Sequence, residues 1–361
     1  MRSLDHPSGR RPHSQDSICT YRFWIVSCIQ ALNSQEHDLQ RLIQFEGQRA
    51  TFRMTQAIDL RVENVPAEVI GVLSAGVVLF ARHGDRLEFF QDPFTYDPSG
   101  TTLTPLGSVQ EFQLGTFLRS TYLNQHSPSF IEGISADVVD INQLIVRADA
   151  AGEGNIILQS VTGLLQGLFP PTPHNNITLA NGTTVITPLG GYQYIPVESV
   201  EPDEDISLNS FTSCPNFDQH TADFYASPLF LAEAAQAAPF LAELQPFADN
   251  RSIDFTNMFN IFDFATALDP EVAGIVDYAA VVALELHGGA HGAEPTVSIK
   301  FKNGTSDPKL HTLHLFGSHA TNGVPLSQFI DLLAPAAVNS TQEWCTLCNQ
   351  TTLRGCSVFN T

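Results

Sequence analysis

Residues 82 to 86 read Arg-His-Gly-Asp-Arg, and they supply the side-chain types that phosphoryl transfer requires. A neutral imidazole attacks phosphorus and carries the phosphoryl group as phospho-histidine, which makes His83 the candidate nucleophile. Arg82 and Arg86 flank it, and guanidinium groups donate paired hydrogen bonds to phosphate oxygens. Gly84 lets the backbone approach an anion closely. The pentapeptide therefore predicts a phosphate site built around a nucleophilic histidine.

Cationic side chains are scarce in this chain, so their positions are informative. Lysine and arginine number 17 against 38 aspartates and glutamates, and the net charge is −21. Only nine of the 17 follow residue 61, and two of those nine lie in the pentapeptide. A field of this sign repels polyanions, so we expect no nucleic-acid partner and no membrane partner. A phosphate ester must be held by a local group of arginines, and a small monoester fits better than inositol hexakisphosphate.

The elements around the pentapeptide place it at the end of a buried strand. Five apolar residues, 77 to 81, precede it and predict that strand. Open α/β sheets bind ligands at the carboxyl ends of their strands. Downstream, Thr104 has the type of a helix N-cap and Pro105 that of a first helical residue, so we expect a helix that runs to about Tyr122. Its apolar face carries Phe112, Gly115, Leu118 and Tyr122.

The rest of the chain alternates between strand and helix patterns. We predict strands at 138–146, 192–197, 278–286 and 296–301, and helices at 156–168, 221–230, 231–247 and 253–268. This order indicates an α/β sandwich with a helical insertion at about 215–268. The first 61 residues carry eight arginines against six acidic residues, unlike the acidic remainder. We therefore expect residues 1–61 to form a poorly ordered extension and residues 62–361 to form the domain.

Cysteines and glycosylation sequons indicate the secretory route. A Cys-x-x-Cys pair at 345 and 348 lacks a second matching pair, which favours disulfides over a zinc site. No apolar stretch reaches the length of a membrane helix, and no clear signal peptide is present. We expect a secreted or vacuolar protein whose natural N-terminus differs from this one, or whose N-terminal extension has replaced a signal peptide. Six Asn-x-Ser/Thr sequons occur, at Asn176, Asn181, Asn250, Asn303, Asn339 and Asn349.

Six motifs in order resemble the histidine acid phosphatase branch of the histidine phosphatase superfamily, in its fungal secreted form. The resemblance covers most of residues 70 to 356. It implies the phosphoglycerate mutase-like three-layer α/β/α sandwich with a small α subdomain, His83 as nucleophile, Arg82 and Arg86 as phosphate ligands, and no metal or organic cofactor. The motifs are Phe-Ala-Arg-His-Gly-Asp-Arg at 80–86, Leu-Thr-Pro-Leu-Gly at 103–107, Leu-Gln-Gly-Leu-Phe-Pro-Pro at 165–171, Cys-Pro-Asn-Phe at 214–217, Asp-Tyr-Ala at 277–279 before Leu-Glu-Leu, and Trp-Cys-Thr-Leu-Cys at 344–348.

Two parts of the family's phosphate site have no clear counterpart here. The position nearest its third arginine holds Gly, Asn or Ile at 154–156, and Arg147 reaches the site only if its loop bends back. The family's second histidine and its acid precede the strand at 278, yet no histidine lies between His220 and His287. We interpret residues 264–275 as the place where that segment was lost, by deletion or by a gene-model error. Asp85, Asp254 and Asp263 are conceivable acids, and the general acid stays unassigned.

Two functions remain open from the sequence. One is an acid phosphomonoesterase that works through phospho-His83 at a reduced rate, since the loss of an acid or a phosphate ligand typically costs about 10² to 10⁴ in rate. The other is a catalytically silent relative that retains only an anion-binding site. An intracellular mutase or regulatory phosphatase fits poorly with the sequons and terminal cysteines.

Overall fold

The computed structural model describes residues 56–61, 74–86, 102–149, 155–199, 205–206, 208, 210–244, 255, 277–288, 293–314, 323–334 and 337–359. Within these ranges the chain forms a main sheet with helices on both faces, which confirms a mixed α/β fold. The strands are β1 Gln56–Arg61, β2 Ser74–Ala81, β3 Leu144–Ala148, β4 Asn176–Thr178, β5 Thr184–Ile186, β6 Val281–His287, β7 Thr296–Lys302, β8 His311–Leu313 and β9 Val324–Pro325. The helices are α1 Pro105–Tyr122, α2 Ile156–Leu168, α3 Pro215–Tyr225, α4 Pro228–Leu244, α5 Leu326–Leu333 and α6 Thr341–Cys348, with short helical turns at Ile141–Gln143, Pro188–Gly191 and Cys356–Phe359.

The strand that leads into the pentapeptide lies inside the main sheet. The strand order is β3-β1-β2-β6-β7-β8, β9 also pairs with β7, and the ladders between these strands are antiparallel. Val77, Leu79 and Ala81 pack with α1 and α2, while Val78 and Phe80 pack with α5. Both faces of β2 are therefore covered, which accounts for the continuous apolar run at residues 77–81.

Helix α1 confirms the predicted start signals. Pro105 is its first residue, and the Thr104 side chain accepts a hydrogen bond from the Gly107 N–H. Gly115, Leu118 and Tyr122 of the predicted face are buried, but Phe112 is 44% exposed and Glu111 is buried instead. Helix α2 matches the predicted bounds, and it packs on α1 at backbone contact: a Cβ added at Gly115 would lie 1.9 Å from the Leu164 carbonyl oxygen.

Several other predicted elements differ from those in the structure. The predicted strand at 192–197 was wrong, since these residues join no ladder and only Glu198 bridges to Arg147. The strand predicted from 138 begins at Leu144, because Asp140 caps a short helical turn before it. The helices predicted at 221–230 and 231–247 instead begin at prolines 215 and 228, and the helix predicted at 253–268 falls outside the described residues except for 255.

Strand β1 corrects the predicted domain boundary. It pairs with β2 on one side and β3 on the other, and Ile58 and Leu60 are buried in the core. The domain therefore begins no later than Gln56, before the boundary expected after residue 61. Residues 1–55 lie outside the described ranges.

Two disulfides tie the C-terminal segment to the domain. Cys214 at the start of α3 is bonded to Cys348 at the end of α6, and Cys345 is bonded to Cys356. These bridges confirm the prediction of disulfides, and they show that the Cys-x-x-Cys pair is divided between the two. Crosslinks of this kind stabilise a fold mainly by restricting the unfolded chain. Among the described residues, none of the helices has the length and apolarity to cross a membrane.

Candidate phosphate site

His83 lies two residues beyond the end of β2 and is almost fully buried, with 3% of its surface exposed. Two backbone hydrogen bonds extend the pairing of β2 and β6 past the strand. The Arg82 N–H donates to the Ala280 carbonyl at 2.9 Å, and the Ala279 N–H donates to the His83 carbonyl at 3.2 Å. The backbone of the histidine is therefore fixed on the side of β6.

The imidazole of His83 is set in one tautomer by its neighbour. Its Nδ1 lies 2.7 Å from the carbonyl oxygen of Gly84. A carbonyl oxygen only accepts hydrogen bonds, so Nδ1 must carry a proton. In the neutral ring, Nε2 then keeps its lone pair, which is the form that can attack phosphorus.

Two glycines bring the pentapeptide against the first turn of α1. A Cβ added at Gly84 would lie 2.5 Å from the Gly107 carbonyl oxygen, and one added at Gly107 would lie 2.1 Å from the carbonyl oxygen of Asp85. The Gly84 N–H donates to Ser160 Oγ on α2 at 3.2 Å, and the Asp85 N–H donates to Gln110 Oε1 on α1 at 2.7 Å. Both helices thus hold the loop that carries the histidine.

Asp85 also joins the pentapeptide to the start of α1. The Thr104 hydroxyl donates to Asp85 Oδ2 at 2.5 Å, and the Thr104 N–H donates to the Asp85 carbonyl at 3.0 Å. Since Thr104 is the N-cap of α1, the positive end of the helix dipole abuts the pentapeptide, which favours a bound anion. The other conceivable acids, Asp254 and Asp263, lie outside the described residues.

The two arginines of the pentapeptide are held by different parts of the fold. The backbone of Arg86 bridges to Leu103, just before α1. The Arg82 guanidinium carbon lies 4.6 Å from the ring centroid of Tyr278, over its face. The structure thus keeps Arg82, His83 and Arg86 on one short loop at the end of the sheet.

Arg147 takes a different partner. It lies on β3, which is separated from β2 by β1, and its Nε donates to Glu198 Oε2 at 2.9 Å. Cross-strand register aligns Arg147 with Ala57 and then with Phe80, on the face of the sheet opposite to α1 and α2. In this structure its guanidinium forms an ion pair and does not turn back toward the pentapeptide.

Two curated proteins match part of the chain. Prostatic acid phosphatase of Bos taurus is 30% identical over 181 residues, which are 48% of this chain and 38% of that protein. Prostatic acid phosphatase of Homo sapiens is 28% identical over 177 residues, 46% of this chain and 40% of that protein. The matches span less than half of either relative. No family model matches the chain.

The chain is similar to acid phosphatases. This distant similarity supports the histidine phosphatase superfamily that the motifs indicated. The disulfides agree with the secretory route that the cysteines suggested.

Sequence reasoning missed one aromatic residue of the phosphatase-like site. The ring centroid of Tyr278 lies 5.6 Å from that of His83, with the ring planes inclined by 45°. The strand expected to begin at Tyr278 begins only at Val281, because Tyr278 and Ala279 form a turn. The Asp-Tyr-Ala motif was the available signal for this residue. The segment at 264–275, where we expect the loss of the second histidine and acid, lies outside the described residues.

Proposed function

We propose that this protein is a histidine acid phosphatase of the phosphoglycerate mutase-like fold that hydrolyses small phosphomonoesters through phospho-His83. The observation that carries the proposal is the buried His83 with its Nδ1 on the Gly84 carbonyl, between Arg82 and Arg86 and beside the N-terminus of α1. This arrangement offers a neutral nitrogen nucleophile and positive charge at one point of a strongly acidic protein.

The proposed reaction has two steps. His83 Nε2 attacks phosphorus, the bond from phosphorus to the ester oxygen breaks, and the leaving alcohol gains a proton. Water then attacks the phospho-histidine, releases inorganic phosphate and restores the imidazole. Arg82 and Arg86 hold the phosphoryl oxygens in both steps. The proton donor is unassigned, so we expect a rate below that of a complete site.

The proposed setting is the secretory pathway, with a secreted or vacuolar protein of the fungal type. The two disulfides and the exposed sequon asparagines at 176, 181, 339 and 349 support this setting. We also keep the helical insertion at 215–268 as a proposal, of which α3 and α4 are described. A small monoester remains the proposed substrate, because few cations are available to bind a polyanion.

The test compares His83→Ala with the wild type in hydrolysis of 4-nitrophenyl phosphate at about pH 4 to 6. Loss of the nucleophile should lower kcat by at least about 10³-fold. His126→Ala is the matched control, since His126 is exposed on the loop after α1. Alkaline denaturation during turnover should trap a phosphorylated peptide that contains residue 83. Equal rates for His83→Ala and the wild type would reject the proposal.

The second candidate is a silent relative that binds phosphate without turnover. Two observations favour it. Arg147 is engaged in an ion pair with Glu198, and the position nearest the family's third arginine falls at the uncharged start of α2, Asn155 and Ile156. Calorimetric titration of the wild type with phosphate and with vanadate separates the two functions. Binding without hydrolysis supports the silent relative, and no binding rejects both.

A further inference from the structure

Tyr278 contacts two of the three functional side chains of the pentapeptide at once. Its ring meets the His83 imidazole at 5.6 Å between centroids, in the tilted range that aromatic pairs prefer. The same ring receives the Arg82 guanidinium at 4.6 Å, within the distance of a cation–π interaction. One aromatic side chain thus joins the candidate nucleophile to a candidate phosphate ligand.

The backbone of Tyr278 is held in a closed turn. The Ala280 N–H donates to the Asp277 carbonyl at 3.3 Å, and the Tyr278 N–H donates to Asp277 Oδ1 at 2.8 Å. Asp277 is anchored in turn, because its N–H donates to Asn303 Oδ1 at 2.7 Å. Ala279 adopts φ +55°, a left-handed conformation that costs energy for a residue with a Cβ. The turn therefore has a definite geometry, fixed from the end of β7.

The end of β7 is itself packed against the rest of the domain. Gly304, at φ +69°, lies so close to Asp277 that an added Cβ would come within 2.7 Å of the aspartate Cβ. Lys302 is buried, its Nζ donates to the Gly304 carbonyl, and the same Nζ lies 5.2 Å from the centroid of the Phe117 ring on α1. A continuous series of contacts thus runs from α1 through β7 to the turn.

His83 needs a constraint of this kind. The hydrogen bond at Nδ1 fixes the direction of one ring atom but by itself allows the ring to tilt about that bond. A packed aromatic face removes the tilt, and the direction of the Nε2 lone pair is then set. Arg82 has a long side chain whose ordering costs rotamer entropy, and a preformed cation–π contact meets that cost before substrate arrives.

We propose that Tyr278 is a positioning residue of the phosphate site, which fixes the His83 imidazole and the Arg82 guanidinium through its aromatic face and not through its hydroxyl. This assignment rests on the proposed function for its kinetic consequences. Tyr278→Phe keeps the face and should retain kcat within about twofold, whereas Tyr278→Leu should lower kcat by about 10- to 100-fold, the cost of a misplaced catalytic group.

Kinetic controls separate positioning from general damage. Tyr194→Leu, at a tyrosine that is 65% exposed, should leave kcat and KM unchanged. Tyr278→Leu should raise KM as well as lower kcat, because Arg82 also loses its contact. Asn303→Ala removes the acceptor of the Asp277 N–H and should cause a smaller loss in kcat. Combined with Tyr278→Leu, it should add nothing further. Additive effects, or loss of activity in Tyr278→Phe, would overturn the proposal.

A second readout does not depend on turnover. In protein with ¹⁵N-labelled histidine, the signals missing from His83→Ala identify His83, and the wild type should show the tautomer protonated at Nδ1. Tyr278→Phe should keep these signals, while Tyr278→Leu should shift them and mix the tautomers. If Tyr278→Leu does not fold, Asn303→Ala replaces it, with the same expected shift. Unchanged His83 signals would refute the role of Tyr278 even in an active enzyme. An inactive wild type with shifted variant signals would refute only the phosphatase function.

Discussion

The Lys300 ammonium lies 2.7 Å from Glu285 Oε2. The pair lies on the face of the sheet that packs against α1, at the end of β6 far from the pentapeptide. The Glu285 carboxylate has no exposed surface, and it also accepts a hydrogen bond from the Tyr122 hydroxyl at 2.9 Å. The Ser298 hydroxyl and the His287 imidazole also contact this carboxylate. Burial alone would raise the pKa of Glu285, but the hydrogen bond from His287 and the charge and hydrogen bond of Lys300 outweigh it and lower the pKa from 4.5 to about 2.

This cluster predicts a defined acid limit of stability. Because the pKa of Glu285 is lower in the folded state than in the unfolded state, the unfolded chain binds the proton more readily. The contribution is complete above about pH 4.5 and is lost as the pH falls through that value toward 2, and it amounts to about 3 kcal/mol. Urea unfolding of wild type, Glu285→Gln and the exposed control Glu243→Gln at about pH 6 and pH 3 measures it. Glu285→Gln should be less stable than the wild type at pH 6, and its stability should fall less between pH 6 and pH 3. An equal fall in the free energy of unfolding for the two proteins would contradict the prediction.

Gly107→Ala should disturb the site through space alone. The new Cβ would lie 2.1 Å from the Asp85 carbonyl oxygen and 2.8 Å from Leu103 Cδ1, so the loop and α1 must separate. Overpacking of this kind typically costs about 1 to 3 kcal/mol. We expect a lower urea midpoint and at least a tenfold fall in phosphate affinity or kcat, of the order expected for a misplaced site. Ser108→Ala, at the next and exposed position of the helix, serves as the control, and equal behaviour of the two variants would disprove the close contact.

Arg147→Ala separates the structural and the functional interpretations of that residue. An ion pair with a half-exposed glutamate is worth at most about 1 kcal/mol, so the variant should lose little stability and keep kcat and KM within about twofold. Arg82→Ala and Arg86→Ala should each lower kcat/KM by about 10² or more. A comparable loss in Arg147→Ala would instead make it the third phosphate ligand.

The sequons should differ in occupancy when the protein passes through a eukaryotic secretory pathway. Asn176 and Asn181 are exposed on the hairpin of β4 and β5, and the Asn181 side chain bonds only locally, to the Thr183 N–H. Asn303 is half-buried, and its side-chain oxygen holds the Asp277 N–H. Glycopeptide mapping should find glycans at Asn176 and Asn181 and an unmodified Asn303. Full occupancy of Asn303 would contradict the placement of the turn beside it.

Local signals were sufficient to predict the elements that carry their own start and stop residues. The cap at Thr104, the proline after it and the apolar run before His83 fixed the strand and helix on either side of the loop. Strand β1 lacks such signals at its ends: Ile58 and Leu60 alternate with charged residues over only a few positions, and they become core positions through pairing with two distant strands. Aromatic and β-branched content at 192–197 suits extended backbone, yet a strand also needs a partner.

The same distinction holds for the site. The pentapeptide is contiguous, so its three side chains were predictable as a group. Tyr278 comes to His83 only because β6 pairs with β2 in one register, and a turn whose support lies at the end of β7 then directs the ring. The partner of Arg147 was equally invisible, since Glu198 reaches it from a segment that forms no ladder.

The bond between Cys214 and Cys348 closes a ring of chain in which the two cysteines are 134 positions apart, and both Tyr278 and the interval 264–275 lie inside it. The entropy of closing such a ring grows only with the logarithm of its length, by about 0.6 kcal/mol for each doubling. A segment of a few dozen residues could therefore enter or leave the ring at 264–275 with almost no change in the stability that the crosslink contributes. If a second histidine and acid are lost or regained at 264–275, we therefore expect the disulfide to stabilise the fold almost equally in either case.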